Sequence, residues 1–251
     1  MPKSSEPTNL MKWAAVLAKA SAENRAMEDQ IPTGSSFISI RNGVLSIDDV
    51  TMPGNAMRVV VLDRILENDF YEGVFDPDIL SSPVCFALSR TMEKMKPHAQ
   101  SLKPQNTTCF DCPQNQYGSR NLGKGKACQN RVRMALMDEK GLEDIAHAPV
   151  KYLKIPPTNL KPWKAYVSQL DDVHHCPTWA VVTEIKVEHD PKVQVRLEYK
   201  MVSKVEESLL AALQSKVAVV RDAIEFPYST FTSDAGPVTP TQGRTGQPIR
   251  R

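Results

Sequence analysis

The sequence predicts a mainly β protein, an OB-like antiparallel barrel with peripheral helices and an inserted zinc loop. Three observations predict it. Short β-rich runs recur in hairpin order, helical periodicity is confined to three stretches around them, and a polar segment containing three cysteines interrupts the strands. A β-sandwich fits the same pattern, so that alternative stays open.

Length and composition are those of an ordinary globular protein. The chain has 251 residues, of which 41% are hydrophobic and 24% charged, enough to bury a full core. No apolar run reaches the length of a membrane span, and the first residues lack the apolar centre of a signal peptide. We therefore expect a cytoplasmic protein without membrane contact.

The strands are predicted from two hairpins and the runs between them. Residues 37–40 and 44–47 flank Asn42-Gly43, the strongest short hairpin signal, with Arg41 at its tip. Residues 178–188 and 193–202 form a second hairpin. Residues 57–65 carry a central apolar run that predicts a strand buried on both faces. Further strands are predicted at 83–88, 132–137 and 151–155.

Four regions follow from these elements. Amphipathic spacing predicts helices near residues 9–27 and 160–170, and a capping box beginning at Ser203 starts a third. The regions are an N-terminal helix and linker (1–36), a β-rich OB-like core (37–202) that includes the zinc loop (85–133), a C-terminal helix (203–226), and a disordered basic tail (227–251).

The cysteine-containing segment predicts a structural zinc site. Cys109 and Cys112 form a C-x2-C pair, and Cys128 follows after fifteen residues that are almost free of aliphatic side chains. Such a loop needs a metal or covalent link to become ordered, and a C-x2-C turn presents two thiolates in the geometry that tetrahedral Zn2+ prefers. Unrelated thiols or a redox pair are the alternatives. An odd number of cysteines at this spacing fits a reducing compartment.

A closed zinc site needs a fourth ligand from outside the loop. Cys85 is favoured because it lies on a predicted strand that leads into the loop and would anchor it to the core. His98 is the second choice. The remaining candidates are His147, His174, His175 and Cys176, and Cys85 itself is alternatively a small buried hydrophobe.

Positive charge is concentrated around the same loop. Residues 90–133 contain nine cations and two anions, a net charge of +7, whereas the whole chain carries +2. Cations displace counterions from phosphates, and aromatic faces stack on unpaired bases. The predicted nucleic-acid contacts are Arg41, Tyr117, Arg120, Lys124, Lys126, Arg131, Arg133, Tyr152 and Lys154. Phe110 and Trp163 are further stacking candidates that fit the core at least as well.

Several segments carry a resemblance to a known family. They are ISIRNG from residue 38, PVC from 83, CFDCPQNQYGS from 109, GKGKAC from 123 and VVTEI from 181. They resemble small tailed-phage proteins described as single-stranded DNA-binding proteins, over roughly residues 37–200. The C-x2-C-P-x-N-x-x-G-S and G-K-A-C segments are the most specific parts.

The resemblance implies a function and a ligand set. It implies a non-catalytic protein that coats or protects single-stranded DNA in replication or recombination, alongside phage or host replication proteins and with homo-oligomers allowed. It places Cys85 with the other three cysteines and implies that zinc stabilises an insertion in an OB-like core. Such proteins often end in an acidic tail that recruits partners, whereas this tail is basic.

Two other functions stay open. The basic loop also suits an acidic protein surface, as in an interaction or anti-defence factor that binds a host protein. An enzyme is the third alternative, with His174-His175-Cys176 beside Asp171-Asp172 as its site, although this segment also reads as an ordinary connection. No phosphate-binding loop or hydrolase motif is present, and Asp63 and Glu67 have no evident partner.

Overall fold

The structure is a computed structural model that describes residues 37–48, 50–72, 82–120 and 123–228. Four residues of the predicted N-terminal helix are also described, and all four are helical: Trp13, Val16, Leu17 and Lys19. The rest of that helix, its linker and the predicted tail from residue 229 lie outside the described residues.

Strands dominate the described part of the chain, which confirms the mainly β class. They are β1 (Ser39–Arg41), β2 (Val44–Ile47), β3 (Val50–Thr51), β4 (Ala56–Phe70), β5 (Cys85–Ser89), β6 (Gln129–Asp138), β7 (Val150–Ile155), β8 (Val181–Asp190) and β9 (Gln194–Lys204). Two short helices accompany them, α1 (Leu160–Gln169) and α2 (Leu210–Ala223). No helix in the described ranges is long and apolar enough to cross a membrane.

Strand β4 is the axis of the larger of two antiparallel sheets. The order is β7-β6-β4-β8-β9, and β5 also pairs with β4. One edge of β4 pairs with β6, while the other is shared, with β8 beside residues 56–59 and β5 beside residues 66–70. The end of β4 is therefore flanked by the two strands that lead into and out of the cysteine loop.

The larger sheet stays open, so the described strands do not form the predicted closed barrel. Strands β7 and β9 are its two edges. The segment that follows β7 contacts β9, since Asn159 Nδ2 donates to the Val195 carbonyl at 3.0 Å and its Oδ1 accepts from the Leu197 amide at 2.7 Å. Beside β7, the Ile38 amide donates to the Tyr152 carbonyl at 2.7 Å.

Both faces of the sheet are covered, which confirms that β4 is buried on both sides. Alternate side chains enter two separate cores, because successive residues of a strand point to opposite faces. Met57, Val59 and Val61 pack in one core with Trp163 and Tyr166 of α1, and Val60 and Leu62 pack in the other with Leu213 and Val220 of α2.

Both hairpins are confirmed, whereas the start of the last helix was predicted wrongly. Asn42 and Gly43 have φ values of 53° and 75°, as a two-residue hairpin turn requires. Strand β9 pairs with β8 as far as Lys204, so Ser203 belongs to a strand rather than to a helix cap. Cross-strand pairing outweighed the local capping signal, and α2 begins at Leu210.

Candidate metal centre and nucleic-acid interface

Four cysteines from distant parts of the chain line one small cavity. Cys85 opens β5 opposite Phe70, Cys128 immediately precedes β6, and Cys109 and Cys112 lie in the loop between those strands. All four thiols are buried and free of disulfide bonds. The cavity has a volume of about 10 Å³, roughly the space of one water molecule.

The thiols influence one another's acidity. Burial, together with the neighbouring thiols of Cys85 and Cys112, raises the pKa of Cys109 to about 11. Burial also raises the pKa values of Cys85 and Cys128, with added contributions from neighbouring cysteines. Like charges disfavour one another's ionised form, so several thiolates here would require a cation.

The present side-chain positions do not by themselves form a metal centre. In the described part of the chain, no group of three or more His, Cys, Asp and Glu side chains is arranged to hold a metal ion. A cysteine sulphur moves with a single χ1 rotation, so the four backbone positions decide whether the thiols can converge. The four cysteines line a single cavity, and four thiolates are a donor set that tetrahedral zinc accepts.

Backbone hydrogen bonds hold the cysteine loop in place. The Cys109 amide donates to the Met95 carbonyl at 3.0 Å, and the Cys128 amide donates to the Gln114 carbonyl at 2.8 Å. A short 3₁₀ turn, Pro113–Asn115, begins directly after Cys112. The C-x2-C turn is therefore joined to the segment that precedes β6.

Asn115 links the cysteines to the sheet and was missed by sequence reasoning. Its Nδ2 donates to the Cys109 carbonyl at 2.6 Å, while its Oδ1 accepts from Asn130 at 3.0 Å and from Lys126 at 3.2 Å. Asn130 also donates to Asn68 of β4 at 2.6 Å. The asparagine of the C-P-x-N motif could have indicated this role from the sequence. Asn115 is buried, which explains why its side chain bonds within the protein.

His98, the second choice for the fourth ligand, does not line this cavity. Its ring stacks on Phe86 with centroids 4.7 Å apart, and its Nδ1 accepts from the Gln100 amide at 3.1 Å. Cys85 is the residue that lies with the other three cysteines.

The surface of the loop exposes two aromatic rings among cations. We call residues 106–120 and 123–128 the basic loop. Phe110 is 75% exposed and Tyr117 is 83% exposed, and Lys126 Nζ lies 5.2 Å from the centre of the Tyr117 ring. Arg120 and Lys124 are also exposed. These rings pack against little of the protein, so they are accessible to a planar ligand.

Fewer cations are free than the sequence count indicated. Four of the nine in residues 90–133 pair with carboxylates from other segments: Arg90 with Asp63 at 2.8 Å, Lys103 with Glu72 at 2.5 Å, Arg131 with Asp69 at 3.0 Å, and Arg133 with Glu67 at 2.6 Å. Within the described residues no salt bridge reaches the other five, which are Lys94, Lys96, Arg120, Lys124 and Lys126. Three of these five belong to the basic loop.

Glu67 is the centre of a buried ionic cluster, so its apparent isolation in the sequence was misleading. Arg133 Nε contacts it at 2.6 Å, Lys154 Nζ at 3.2 Å, and the Tyr228 hydroxyl donates to it. Arg133 is fully buried and also donates to the carbonyl of Phe226 at 2.7 Å. It cannot reach a phosphate in this arrangement, and we leave it out of the binding surface.

The charges in this cluster determine the acidities of its members. Burial alone would raise the pKa of Glu67, but Lys154 and Arg133 lower it by more. Burial raises the pKa of Asp69 against the opposing effect of Arg131. Burial also lowers the pKa of Lys154, although Glu67 favours its charged form.

The remaining predicted contacts occupy different environments. Arg41 is exposed at the β1–β2 turn, and Trp163 is buried in the core. The Tyr152 ring packs between Phe37 and Phe226, with centroid distances of 5.9 and 4.7 Å. Neither Tyr152 nor Trp163 offers an open face comparable to that of Tyr117.

The alternative His174-His175-Cys176 site remains a connecting segment. It begins at the last residue of a π-helical turn, Leu170–His174, and His175 adopts left-handed backbone geometry with φ 49°. The Cys176 thiol donates to the His174 carbonyl at 3.1 Å. A cleft includes Cys176 and Asp171 but neither histidine, so the structure does not gather these residues into one site.

Comparison with known proteins gives no relative for this chain. No protein-family model, no curated protein and no solved structure matches it. The function is therefore argued from the geometry and chemistry of the described residues.

Proposed function

We propose that this protein binds single-stranded DNA without sequence preference through the basic loop, and that zinc held by Cys85, Cys109, Cys112 and Cys128 orders this loop. The observation that carries the proposal is the exposed Tyr117 ring beside Lys126, in a loop that also exposes Phe110, Arg120 and Lys124. Rings and cations in one loop match the two components of a single strand, its bases and its phosphates.

The placement of the four thiols supports a structural role for the metal. Cys85 and Cys128 lie at the ends of two strands that both pair with β4, whereas Cys109 and Cys112 belong to the loop. One ion bound by all four would therefore join the loop to the sheet. Zinc fits this donor set, and its four protein ligands would leave no open position for a substrate.

Exposure of large rings on a polar segment has a cost that a ligand can offset. An aromatic ring in water loses the free energy it would gain by burial, and stacking on a base contributes about 1 to 3 kcal/mol. The backbone near these rings is held by glycine-containing turns, since the amides of Gly118 and Arg120 both donate to the Gly125 carbonyl at 3.1 and 3.2 Å. The loop can therefore present Tyr117 in a defined orientation.

The wider interpretation rests on the sequence resemblance. An OB-like core, a phage origin and a role in coating or protecting DNA during replication or recombination are part of the proposal. The antiparallel pairing of the larger sheet supports the OB-like part of the proposal, as does the contact of Asn159, which follows β7, with β9.

Binding to oligo-dT over a range of salt concentrations tests the proposal. Affinity should fall steeply as salt rises, because cations release counterions from phosphates. Tyr117→Ala should weaken binding by about 1 to 3 kcal/mol. Leu102→Ala is the matched control, since Leu102 is 69% exposed in the same inserted segment but is not aromatic.

Two results would contradict the proposal. One is the absence of oligo-dT binding at low salt, and the other is an equal effect of the two substitutions. Binding of an acidic protein surface with no binding of oligo-dT would support the interaction-factor interpretation instead. Metal-dependent cleavage of the oligonucleotide would support an enzyme.

A further inference from the structure

A second candidate site lies in the opening between the edges of the larger sheet. The groove has a volume of about 470 Å³ and is bordered by residues 37–40, by the end of β7 and by the beginning of β9. This volume is within the range of about 300 to 1,000 Å³ that is usual for small-molecule sites. The groove exists because β7 and β9 do not pair with one another.

The walls of the groove differ in chemistry along its length. Ile40, Leu153 and Val195 contribute apolar surface, whereas Arg131 and Lys154 contribute cations. The side chains of Arg131 and Lys154 are 22% and 20% exposed, so each is only partly enclosed by the ionic cluster. A ligand with an anionic group and a flat, weakly polar body fits such walls.

The charge of the adjoining cluster favours an anionic group. Arg131, Arg133 and Lys154 carry three positive charges, while Glu67 and Asp69 carry two negative charges when ionised. One positive charge is left without a carboxylate. A phosphodiester carries one negative charge, and the planar guanidinium of Arg131 suits phosphate oxygens.

The polar groups in the groove favour a base over an alkyl chain. Thr158 and Gln194 also line it, and their hydroxyl and amide groups can donate and accept hydrogen bonds. A nucleobase has both a flat apolar face and an edge of donors and acceptors, whereas an alkyl chain would offer these two side chains no hydrogen bond. The Thr158 hydroxyl also accepts from Asn159 Nδ2 at 3.3 Å.

We propose that this groove is a nucleotide subsite, in which one phosphate of a bound single strand contacts Arg131 and Lys154 and the attached base enters the apolar part. This inference rests on the proposed function, because the strand on the basic loop would continue into the groove. The basic loop and the groove meet at the start of β6. There Lys126 Nζ of the loop donates to Asn130 at 3.0 Å, and the next residue is Arg131, which lines the groove.

Methyl NMR on the full-length protein tests the groove separately from the loop. The probes are dTMP, thymidine and inorganic phosphate. We expect dTMP to shift the methyl signals of Ile40, Leu153 and Val195 at concentrations about tenfold lower than thymidine or phosphate, because only dTMP supplies both parts. The methyl groups of Val219, exposed on α2, serve as the internal control.

A groove-filling substitution provides the second measurement. Thr158→Trp should occupy the groove without altering the ionic cluster, abolish the dTMP shifts and weaken oligo-dT binding about tenfold. Lys161→Trp is the control, since Lys161 is exposed on α1 and does not line the groove. Thermal melting of both variants checks that they are folded.

The outcomes separate this inference from the proposed function. If dTMP shifts no groove methyl group, or if Thr158→Trp binds oligo-dT as tightly as the control, the groove is not a nucleotide subsite even when the loop binds DNA. If the wild type binds no oligo-dT but dTMP shifts the groove, the proposed function fails and the subsite remains as a mononucleotide site.

Discussion

The basic loop and the ionic cluster at the end of β4 both contain residues that look, in sequence, like phosphate contacts. In the loop, Arg120 and Lys124 are exposed. In the sheet, Arg133 is fully buried against Glu67. The difference arises from strand pairing, because a cation on a strand faces whatever the partner strand presents on the same side, whereas a cation on a loop faces water.

Register explains which charges were neutralised. Glu67 lies opposite Arg131 and Ile65 opposite Arg133 in the β4–β6 ladder, so two carboxylates and two guanidinium groups share one face of the sheet. Burying these groups separately would be costly, and pairing offsets that cost. A run of positive charge in a sequence therefore overstates the cations that a ligand can reach, because strand pairing buries some of them fully, as it does Arg133.

The largest expected effect comes from a change to the cysteines of the basic loop. Cys109→Ser should remove zinc and unfold the basic loop, because apparent binding free energies of structural zinc are about 10 to 16 kcal/mol in small zinc domains. Metal analysis should find one zinc per wild-type chain and none in the variant, and proteolysis should then cut the loop. Cys176→Ser is the control, since Cys176 does not line the cysteine cavity. Wild-type protein that contains no zinc would show that the metal does not order the basic loop.

The next effect belongs to the sheet. Glu67→Gln should lower the free energy of unfolding by about 3 to 5 kcal/mol, because it leaves Arg133 buried without its counter-charge. Denaturant unfolding measures the loss. Glu188→Gln is the control, since Glu188 pairs with Lys186 on an exposed surface and should change little. A small loss of stability in Glu67→Gln would show that Arg133 and Lys154 remain stable in the core without the charge of Glu67.

The stability difference between wild type and Glu67→Gln should depend on pH. Because the pKa of Glu67 is lowered in the folded protein, its contribution is present above the unfolded pKa and is lost as pH falls through the folded pKa. The stability difference between wild type and Glu67→Gln should therefore be largest at neutral pH and disappear in acid. A difference that grows on acidification would reverse the assigned direction.

A smaller effect tests how the two regions are joined. Asn115→Ala should cost about 1 to 3 kcal/mol, since it removes the donor to the buried Cys109 carbonyl and an acceptor for Asn130. Hydrogen exchange of the loop amides should accelerate together with the loss of stability. Asn106→Ala is the matched control, because Asn106 donates to Asp111 at an exposed position. Equal effects would show that Asn115 is not the link.

The smallest effect concerns a single exposed cation. Lys124→Gln should leave stability unchanged and reduce the salt slope of oligo-dT binding by about 0.7, the value for one phosphate contact on a single strand. Lys161→Gln, an exposed lysine of α1, should leave the slope unaltered. If Lys124→Gln behaves like this control, Lys124 is solvated and does not contact phosphate.

Much of the fold was readable from local pattern. The Asn42-Gly43 turn and the β8–β9 hairpin depend on neighbouring residues, and the apolar run of β4 shows its burial on both faces. The start of α2 could not be found in this way, because Ser203 satisfies either a helix cap or a strand, and only pairing with Val182 decided between them.

Short-range spacing and side-chain chemistry were enough to predict the mainly β class, the two hairpins and the position of a polar insertion with cysteines at its ends. Tertiary structure alone decided that Cys85 and not His98 joins the other cysteines, that the sheet stays open, and that Arg133 faces Glu67 rather than solvent. Those outcomes depend on contacts between residues far apart in the chain, sixty-six positions apart for Arg133 and Glu67, which local pattern does not specify.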